Sequence, residues 1–120
     1  MKHSGSFYYD LEIGEKGEDW IKQIFSQGSK VEVKTDFMAH ATGNLFVEVY
    51  SRGKKSGIST TIADYWIFII YYQNLTLILP TDKLKKIIKQ NFSSSDLRLG
   101  GDNNTSLGIL LPIKLILCEI

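Results

Sequence analysis

The chain has 120 residues, of which 43% are hydrophobic and 22% are charged, a composition typical of one globular domain with a single core. The net charge of +1 excludes a general electrostatic attraction to nucleic acid, so a DNA-binding surface would have to be a local patch. The only cysteine, Cys118, excludes an internal disulfide, and the apolar residues around it predict a core position rather than a nucleophile.

The first residues of the chain, 1–9, are predicted to be flexible, and Met1–Ser6 lacks the apolar stretch of a signal peptide. The longest apolar run, Tyr65–Tyr72, is far shorter than the roughly 20 residues that span a bilayer. We therefore expect a cytoplasmic protein with no membrane partner.

The first predicted elements are one helix and two strands. The helix covers Glu15–Phe25, after Gly14, and carries apolar residues at helical spacing. Apolar and polar residues alternate in Lys30–Asp36 and again in Asn44–Tyr50, which predicts two strands. The connection between them, Ala39–Gly43, is short enough for a hairpin.

With the rest of the chain included, the predicted order of helices and strands is αβββαβ. Its segments are a basic loop at Ser51–Gly57, an ambiguous stretch at Ile58–Asp64 that could hold one helical turn, buried strands at Tyr65–Tyr72 and Leu75–Leu79, a helix at Asp82–Gln90 with Thr81 as its N-cap, a polar loop at Asn91–Ser106, and one or two strands at Leu107–Ile120 broken near Pro112.

Two carboxylates stand on the polar faces of the two alternating strands. Lys34 and Asp36 share one face of the first strand, and Glu48 shares a face of the second strand with Tyr50. If the two strands form a hairpin, Lys34, Asp36 and Glu48 converge on one polar site. Two acids and a lysine at the rim of a small sheet suit divalent-metal phosphodiester chemistry.

Several short motifs follow one another along the chain. They are Val33–Asp36, Thr42–Glu48, Ser56–Thr61, Ala63–Trp66, Pro80–Leu84, and Gly100–Asn104 before Leu111-Pro112. This ordered series resembles the PD-(D/E)xK, or restriction-endonuclease-like, nuclease superfamily, and in particular its small phage-encoded members, from residue 14 onwards. The resemblance implies one domain over residues 1–120 with a three-layer restriction-endonuclease-like α/β fold, an αβββαβ core and a mixed central sheet.

The resemblance also implies a function. Members of the superfamily are Mg²⁺-dependent deoxyribonucleases, and this chain would hydrolyse DNA phosphodiester bonds in phage DNA processing, recombination or repair, as an endonuclease similar to Holliday junction resolvases. DNA would be the partner, the host cytoplasm the compartment, and a homodimer one way for so small a nuclease to cut both strands. The alternative is a catalytically inactive nucleic-acid-binding or assembly module on the same fold.

The metal ligands implied by the resemblance are Asp36, Glu48 and the backbone carbonyl of Val49, with Mn²⁺ able to substitute for Mg²⁺. Many members of the superfamily have an additional catalytic acid on the first helix, and Glu18 matches that position. The alternative is that Glu18 is a solvated charge near a helix N-terminus. Because facing carboxylates repel, neutralising Asp36 or Glu48 is expected to leave stability intact or slightly raised without metal.

The sequence departs from the superfamily motif at Tyr50, where the family has its catalytic lysine. A tyrosine does not supply a fixed positive charge against the phosphate. Lys34 is the best substitute, since it shares a strand face with Asp36, and Lys54 or Lys55 in the basic loop are weaker candidates.

A rival interpretation takes Glu32-Val-Lys34 as the acidic-x-lysine motif itself. The upstream acid would then be Asp10 or Glu18. This interpretation leaves both strand carboxylates, Asp36 and Glu48, without a role.

The basic loop is predicted to contact DNA phosphates, because it combines cations with hydroxyl groups. The predicted contacts are Arg52, Lys54, Lys55, Ser56, Ser59 and Thr60. The ordinary alternative is a solvated surface loop. The aromatic residues of Tyr65–Tyr72 are expected in the core or at an interface, with one able to stack on a base.

Overall fold

The computed structural model describes residues 7–26 and 28–118, and it contains two compact units that divide between Lys30 and Val31. No helix within these described ranges is long and apolar enough to cross a membrane. The single domain expected over residues 1–120 stays a prediction.

In the first unit, helix α1 covers Phe7–Ile24, so it begins well before the predicted start at Glu15. The prediction placed the start after Gly14, but one glycine in a helix interior costs only about 1 kcal/mol and does not stop a helix. Residues 7–9 of the segment predicted to be flexible are helical, and the rest of that segment lies outside the described residues.

The second unit contains both strands and helices. Its described elements are β1 (Val31–Asp36), α2 (Ala39–Thr42), β2 (Asn44–Ser51), β3 (Lys54–Lys55), β4 (Tyr65–Ile70), β5 (Leu75–Pro80), α3 (Thr81–Asn91), β6 (Arg98–Gly100), β7 (Ser106–Pro112) and α4 (Ile113–Cys118). Short 3₁₀ turns at Gly57–Ser59, Ser94–Asp96 and Asp102–Asn104 lie between them. The helical turn considered for the ambiguous stretch after the basic loop is therefore present.

The strands of the second unit form two sheets. β1 pairs in parallel with β4, from Val31 opposite Tyr65 to Asp36 opposite Ile70, and β4 pairs antiparallel with β5. The other sheet is antiparallel throughout, in the order β3–β2–β7–β6. A mixed sheet with helices confirms the general α/β class, although the strands belong to two sheets rather than to one central sheet.

The predicted hairpin between β1 and β2 is wrong, because the two strands lie in different sheets. Their connection forms helix α2 instead of a tight turn. The helix starts there because the Asp36 carboxylate accepts hydrogen bonds from the N–H groups of Met38 and Ala39. Gly43, with φ of 74°, ends it in the left-handed conformation that glycine adopts without strain.

One hydrophobic core joins both sheets and α3. Its largest fully buried side chains are Trp66, Phe68, Leu45, Leu84, Ile87, Leu111 and Val47. They come from alternate positions of β2 and β4, from β7, and from one stripe of α3, and each contributes about 1.5–3 kcal/mol on burial. The strand expected at 65–72 is present but ends at Ile70 and buries only alternate residues, and in the strand expected at 75–79 only Leu79 is buried. The apolar stripe expected on the helix at 82–90 is confirmed.

Thr81 is not the N-cap of that helix, because α3 already includes it and Pro80 precedes it. The Thr81 hydroxyl instead donates a hydrogen bond to the carbonyl of Ala63 at 2.7 Å. This bond ties the start of α3 to the segment that leads into β4.

The C-terminal segment differs from its prediction in two ways. The polar stretch 91–106 contains the short strand β6, and helix α4 rather than a second strand follows Pro112. α4 buries Ile116, and Cys118 lies two residues further on, about 200° around the helix. Cys118 is therefore exposed, so the core position predicted for it is wrong.

Candidate functional site

The Asp36 carboxylate holds together three parts of the chain. Its Oδ1 accepts the N–H groups of Met38 at 3.0 Å and Ala39 at 2.9 Å, and its Oδ2 accepts the N–H of Phe46 at 2.9 Å. Asp36 thereby connects the end of β1 to the start of α2 and to β2 in the other sheet. Each carboxylate oxygen offers about two lone pairs, so Oδ2 keeps one for a further ligand.

Glu48 lies on β2, two residues after Phe46, and one of its oxygens is already engaged. Its Oε1 accepts a hydrogen bond of 2.6 Å from the hydroxyl of Ser106, a residue only 4% exposed. The register of β2 against β7 shifts between Glu48 and Tyr50, which is the mark of a β-bulge. Bulges re-aim side chains, and this one lies directly beside the candidate acid.

The pKa of Glu48 reflects opposing influences. Burial raises it, but the hydrogen bond from the Ser106 hydroxyl, the nearby Ser56 hydroxyl and the positive charge of Lys34 together lower it by more, so the net pKa lies below the ordinary value of 4.5. The Ser56 Oγ is buried and makes no hydrogen bond of good geometry within the described part of the chain. Glu48 is thus held as a carboxylate, with a polar group beside it that has no fixed partner there.

Two glycines make room for this arrangement. A side chain at Gly57, where φ is 55°, would collide with the carbonyl oxygen of Glu48. A Cβ at Gly101, where φ is 70°, would lie 2.8 Å from the Ser106 hydroxyl oxygen. Both glycines lie in segments that the sequence identified as motifs. Ser106 was not predicted, because 58 residues separate it from Glu48 and a single serine carries no pattern that indicates a site.

Lys34 lies on the half-buried face of β1 together with Glu32 and Asp36, while the valines of β1 are exposed. Its Nζ is 3.5 Å from the Glu32 carboxylate and 6.0 Å from the centroid of the Trp66 ring, within cation–π range. Its charge also lowers the pKa of Glu48. The shared face predicted for Lys34 and Asp36 is therefore present, and Lys34 acts electrostatically on Glu48 from another sheet.

Two further predicted site residues are the metal ligand Val49 and the catalytic acid Glu18. The Val49 carbonyl accepts the Ser56 N–H at 3.0 Å and the Ser59 hydroxyl at 2.8 Å, so both of its lone pairs are used. Glu18 lies on α1, in the first unit. Within the described residues no group of three or more His, Cys, Asp or Glu side chains forms a metal-binding cluster.

Two carboxylates are nevertheless enough for one class of metal. Mg²⁺ keeps several waters and is commonly held by one or two carboxylates together with substrate phosphates. Asp36 has a free lone pair on Oδ2, and Glu48 has an oxygen outside its bond to Ser106. The acceptor positions left on Asp36 and Glu48 are of the oxygen type that Mg²⁺ and Mn²⁺ prefer, whereas the Val49 carbonyl has none left.

The segment predicted as a basic loop is a β-hairpin. β2 and β3 pair with Ser51 opposite Lys54, and both residues of the turn, Arg52 and Gly53, have positive φ, of 51° and 80°. Such a turn matches the twist of the flanking strands. Arg52 and Lys54 are exposed at its end, as is Lys55 on β3.

The same hairpin places Lys55 directly opposite Tyr50. Residues paired in this way have Cβ atoms roughly 4.5–5.5 Å apart. Lys55 therefore lies beside the position at which the resemblance noted in the sequence would require a catalytic lysine. Of the predicted hydroxyl contacts, Ser59 donates to the Val49 carbonyl and the Ser56 hydroxyl is buried, whereas Thr60 is exposed.

Comparison of the chain with protein-family models, with curated proteins and with solved structures gave no match.

Proposed function

We propose that this protein is a Mg²⁺-dependent deoxyribonuclease whose site is formed by Asp36, Glu48 and Lys34. The observation that carries the proposal is the hydrogen bond from the Phe46 N–H to Asp36, which fixes that carboxylate beside β2 two residues from Glu48. The positive charge of Lys34 acts on the same glutamate. These two observations support a site to which two acids and a cation would contribute from two sheets.

The restriction-endonuclease-like fold belongs to the same proposal. The parallel pairing of β1 with β4, extended by antiparallel β5, supports it, since a mixed sheet is expected for that fold. The departure is β2, which carries Glu48 and pairs with β7 rather than with β1. The action proposed is hydrolysis of DNA phosphodiester bonds in the cytoplasm, in phage DNA processing, recombination or repair.

Each residue has a defined part in this proposal. The three backbone N–H groups hold the Asp36 carboxylate in one orientation before any ligand arrives, which is how a site is preorganised. The lowered pKa keeps Glu48 ionised and ready to bind a cation. Asp36 and Glu48 would hold the metal, which when bound would supply Lewis acidity and a more acidic water. Lys34 offers positive charge to the phosphate as negative charge develops there.

A cleavage assay on plasmid and on synthetic junction DNA tests this proposal. We expect cutting with Mg²⁺ or Mn²⁺, none with EDTA, and none in Glu48→Gln, while Asp82→Asn on α3, outside the proposed site, cuts normally. Glu48→Gln is preferred to an Asp36 variant, because the Asp36 carboxylate also accepts three backbone hydrogen bonds and its replacement would alter the structure as well as the proposed site. Equal cutting by Glu48→Gln and the unaltered protein would contradict the proposal.

The second candidate is a catalytically inactive nucleic-acid-binding or assembly module on the same fold. Tyr50 in place of the motif lysine favours it, and so do the three backbone bonds that give Asp36 a structural role. DNA binding in EDTA, with no cutting in either metal under any condition, would support this candidate over the nuclease.

A further inference from the structure

Four aromatic rings meet at the end of the mixed sheet. The ring centroids of Phe37 and Tyr71 are 4.8 Å apart, those of Tyr71 and Tyr72 are 4.4 Å apart, and those of Tyr72 and His40 are 4.9 Å apart. Adjacent rings are tilted by 51° to 71°, the edge-to-face range that aromatic pairs favour. We call these four residues the aromatic cluster.

The aromatic cluster is exposed, unlike the aromatic core of the same sheet. Tyr72 is 73% exposed, Phe37 56% and Tyr71 44%, whereas Trp66 and Phe68 are fully buried. These rings contact one another but leave much of their surface in water, and a contiguous exposed apolar patch is typical of a binding surface. Of the aromatic residues of 65–72 that were expected in the core or at an interface, Trp66 and Phe68 are therefore in the core, whereas Tyr71 and Tyr72 are exposed.

The backbone at Tyr72 is strained. Its φ is 73°, in the left-handed region that a bulky residue rarely adopts. Tyr72 lies in the four-residue turn between β4 and β5, and positive φ at a bulky residue persists only where the surrounding structure enforces it. Here the neighbouring rings of Tyr71 and His40 hold the Tyr72 ring in place.

The aromatic cluster adjoins the proposed catalytic carboxylate. The N–H of Tyr71 donates a hydrogen bond of 3.1 Å to the backbone carbonyl of Asp36, and Phe37 is the next residue in the chain. A ligand resting on the rings would therefore have its neighbouring groups at the Asp36 end of β1.

We propose that the aromatic cluster stacks an unpaired base of the DNA substrate, an inference that rests on the proposed nuclease function. Base–aromatic stacking is independent of sequence, because every base has a π-face. Bases inside a duplex are stacked on one another and do not offer that face, so the substrate would be single-stranded or locally unpaired at the cut. Tyr72 is the principal stacking residue, since its ring is the most exposed.

The area of the aromatic cluster favours a base over a second copy of the chain. Aromatic residues offer roughly 150–250 Å² each, so the exposed parts of Phe37, Tyr71 and Tyr72 amount to a few hundred Å². A stable protein interface needs about 800 Å² from each partner. A patch of this size suits one or two bases.

The test measures binding of fluorescent single-stranded and duplex oligonucleotides by anisotropy in EDTA. Tyr72→Asn removes the ring and keeps the backbone conformation, because asparagine tolerates positive φ. Tyr72→Phe keeps the ring. Leu99→Ala on β6 is the matched control, an exposed apolar side chain on the other sheet.

We expect the unaltered protein to bind the single strand more tightly than the duplex, and Tyr72→Asn to weaken single-strand binding by roughly 5- to 150-fold, the range for losing one stacked base. Tyr72→Phe and Leu99→Ala should bind as the unaltered protein does. Undiminished single-strand binding by Tyr72→Asn would overturn the inference, and so would a preference for duplex.

Gel filtration of the same variants tests the second-copy alternative. If Tyr72→Asn turned a dimer into a monomer and left DNA binding unchanged, the aromatic cluster would be a self-association surface and the inference would be overturned. Because binding is measured without metal, stacking can fail while cleavage of duplex DNA survives. Equally, absent cleavage with ring-dependent single-strand binding would reject the nuclease and keep the stacking surface.

Discussion

Replacing Asp36 with asparagine should destabilise the protein even when no metal is present. If the main feature of Asp36 were repulsion by Glu48, removing its charge would be neutral or stabilising. The hydrogen bonds predict the reverse, because the carboxylate accepts from Met38 and Ala39 on one oxygen and from Phe46 on the other.

The magnitude follows from these three bonds. An asparagine oxygen can keep the two bonds at the start of α2, but its NH₂ group then faces the Phe46 N–H, donor against donor. An unsatisfied, partly buried donor costs about 1–3 kcal/mol, and the two remaining bonds lose their charge assistance. We expect a total loss of about 2–4 kcal/mol, which lowers the Tm by roughly 8–16 °C in a chain of this size.

Urea and thermal denaturation at pH 7 in EDTA measure this loss. Asp19→Asn on α1 is the matched control, since the same chemical change at an exposed position should alter stability by less than about 0.5 kcal/mol. An Asp36→Asn variant as stable as the unaltered protein, or more stable, would show that the three backbone bonds do not hold β1, α2 and β2 together.

Three other variants test the electrostatics of the site. Because Ser106 and Lys34 help to lower the pKa of Glu48, its ionised form contributes stability above pH 4.5 that is lost as the pH falls through the folded pKa. Ser106→Ala should therefore raise that pKa in a ¹³C NMR titration of the carboxyl groups, and an unchanged value would remove Ser106 from the site. Lys34→Ala should lower kcat by roughly 10²–10³-fold, with metal affinity kept; a normal rate would leave Lys55, opposite Tyr50, as the candidate cation. The double replacement of Lys54 and Lys55 by alanine should weaken DNA binding and reduce the slope of log K against log salt concentration by about one per lost contact. An unchanged slope would show that these lysines do not contact DNA.

Much of the local structure could be predicted from the sequence, because it depends on near neighbours. The uninterrupted apolar run of 65–70 and the stripe formed by Leu84 and Ile87 specify their own strand and helix. The shared face of Lys34 and Asp36 also follows from strand periodicity alone.

The pairing of the strands could not be predicted in the same way. A short connection after β1 favours a hairpin unless something starts a helix in it, and here the Asp36 side chain does so by accepting two backbone N–H groups. That bonding depends on how one side chain is oriented, which no periodicity encodes. The same holds for Ser106, whose position against Glu48 is set by the pairing of β2 with β7.

The claim on which this account depends most is that Asp36 and Glu48 hold a divalent metal. Calorimetric titration of Mn²⁺ into the unaltered protein, Glu48→Gln and Asp82→Asn tests it most directly. We predict binding to the unaltered protein and to Asp82→Asn, and binding to Glu48→Gln weakened beyond detection. Equal Mn²⁺ affinity in all three proteins, or no binding to any of them in the presence of DNA, would contradict it.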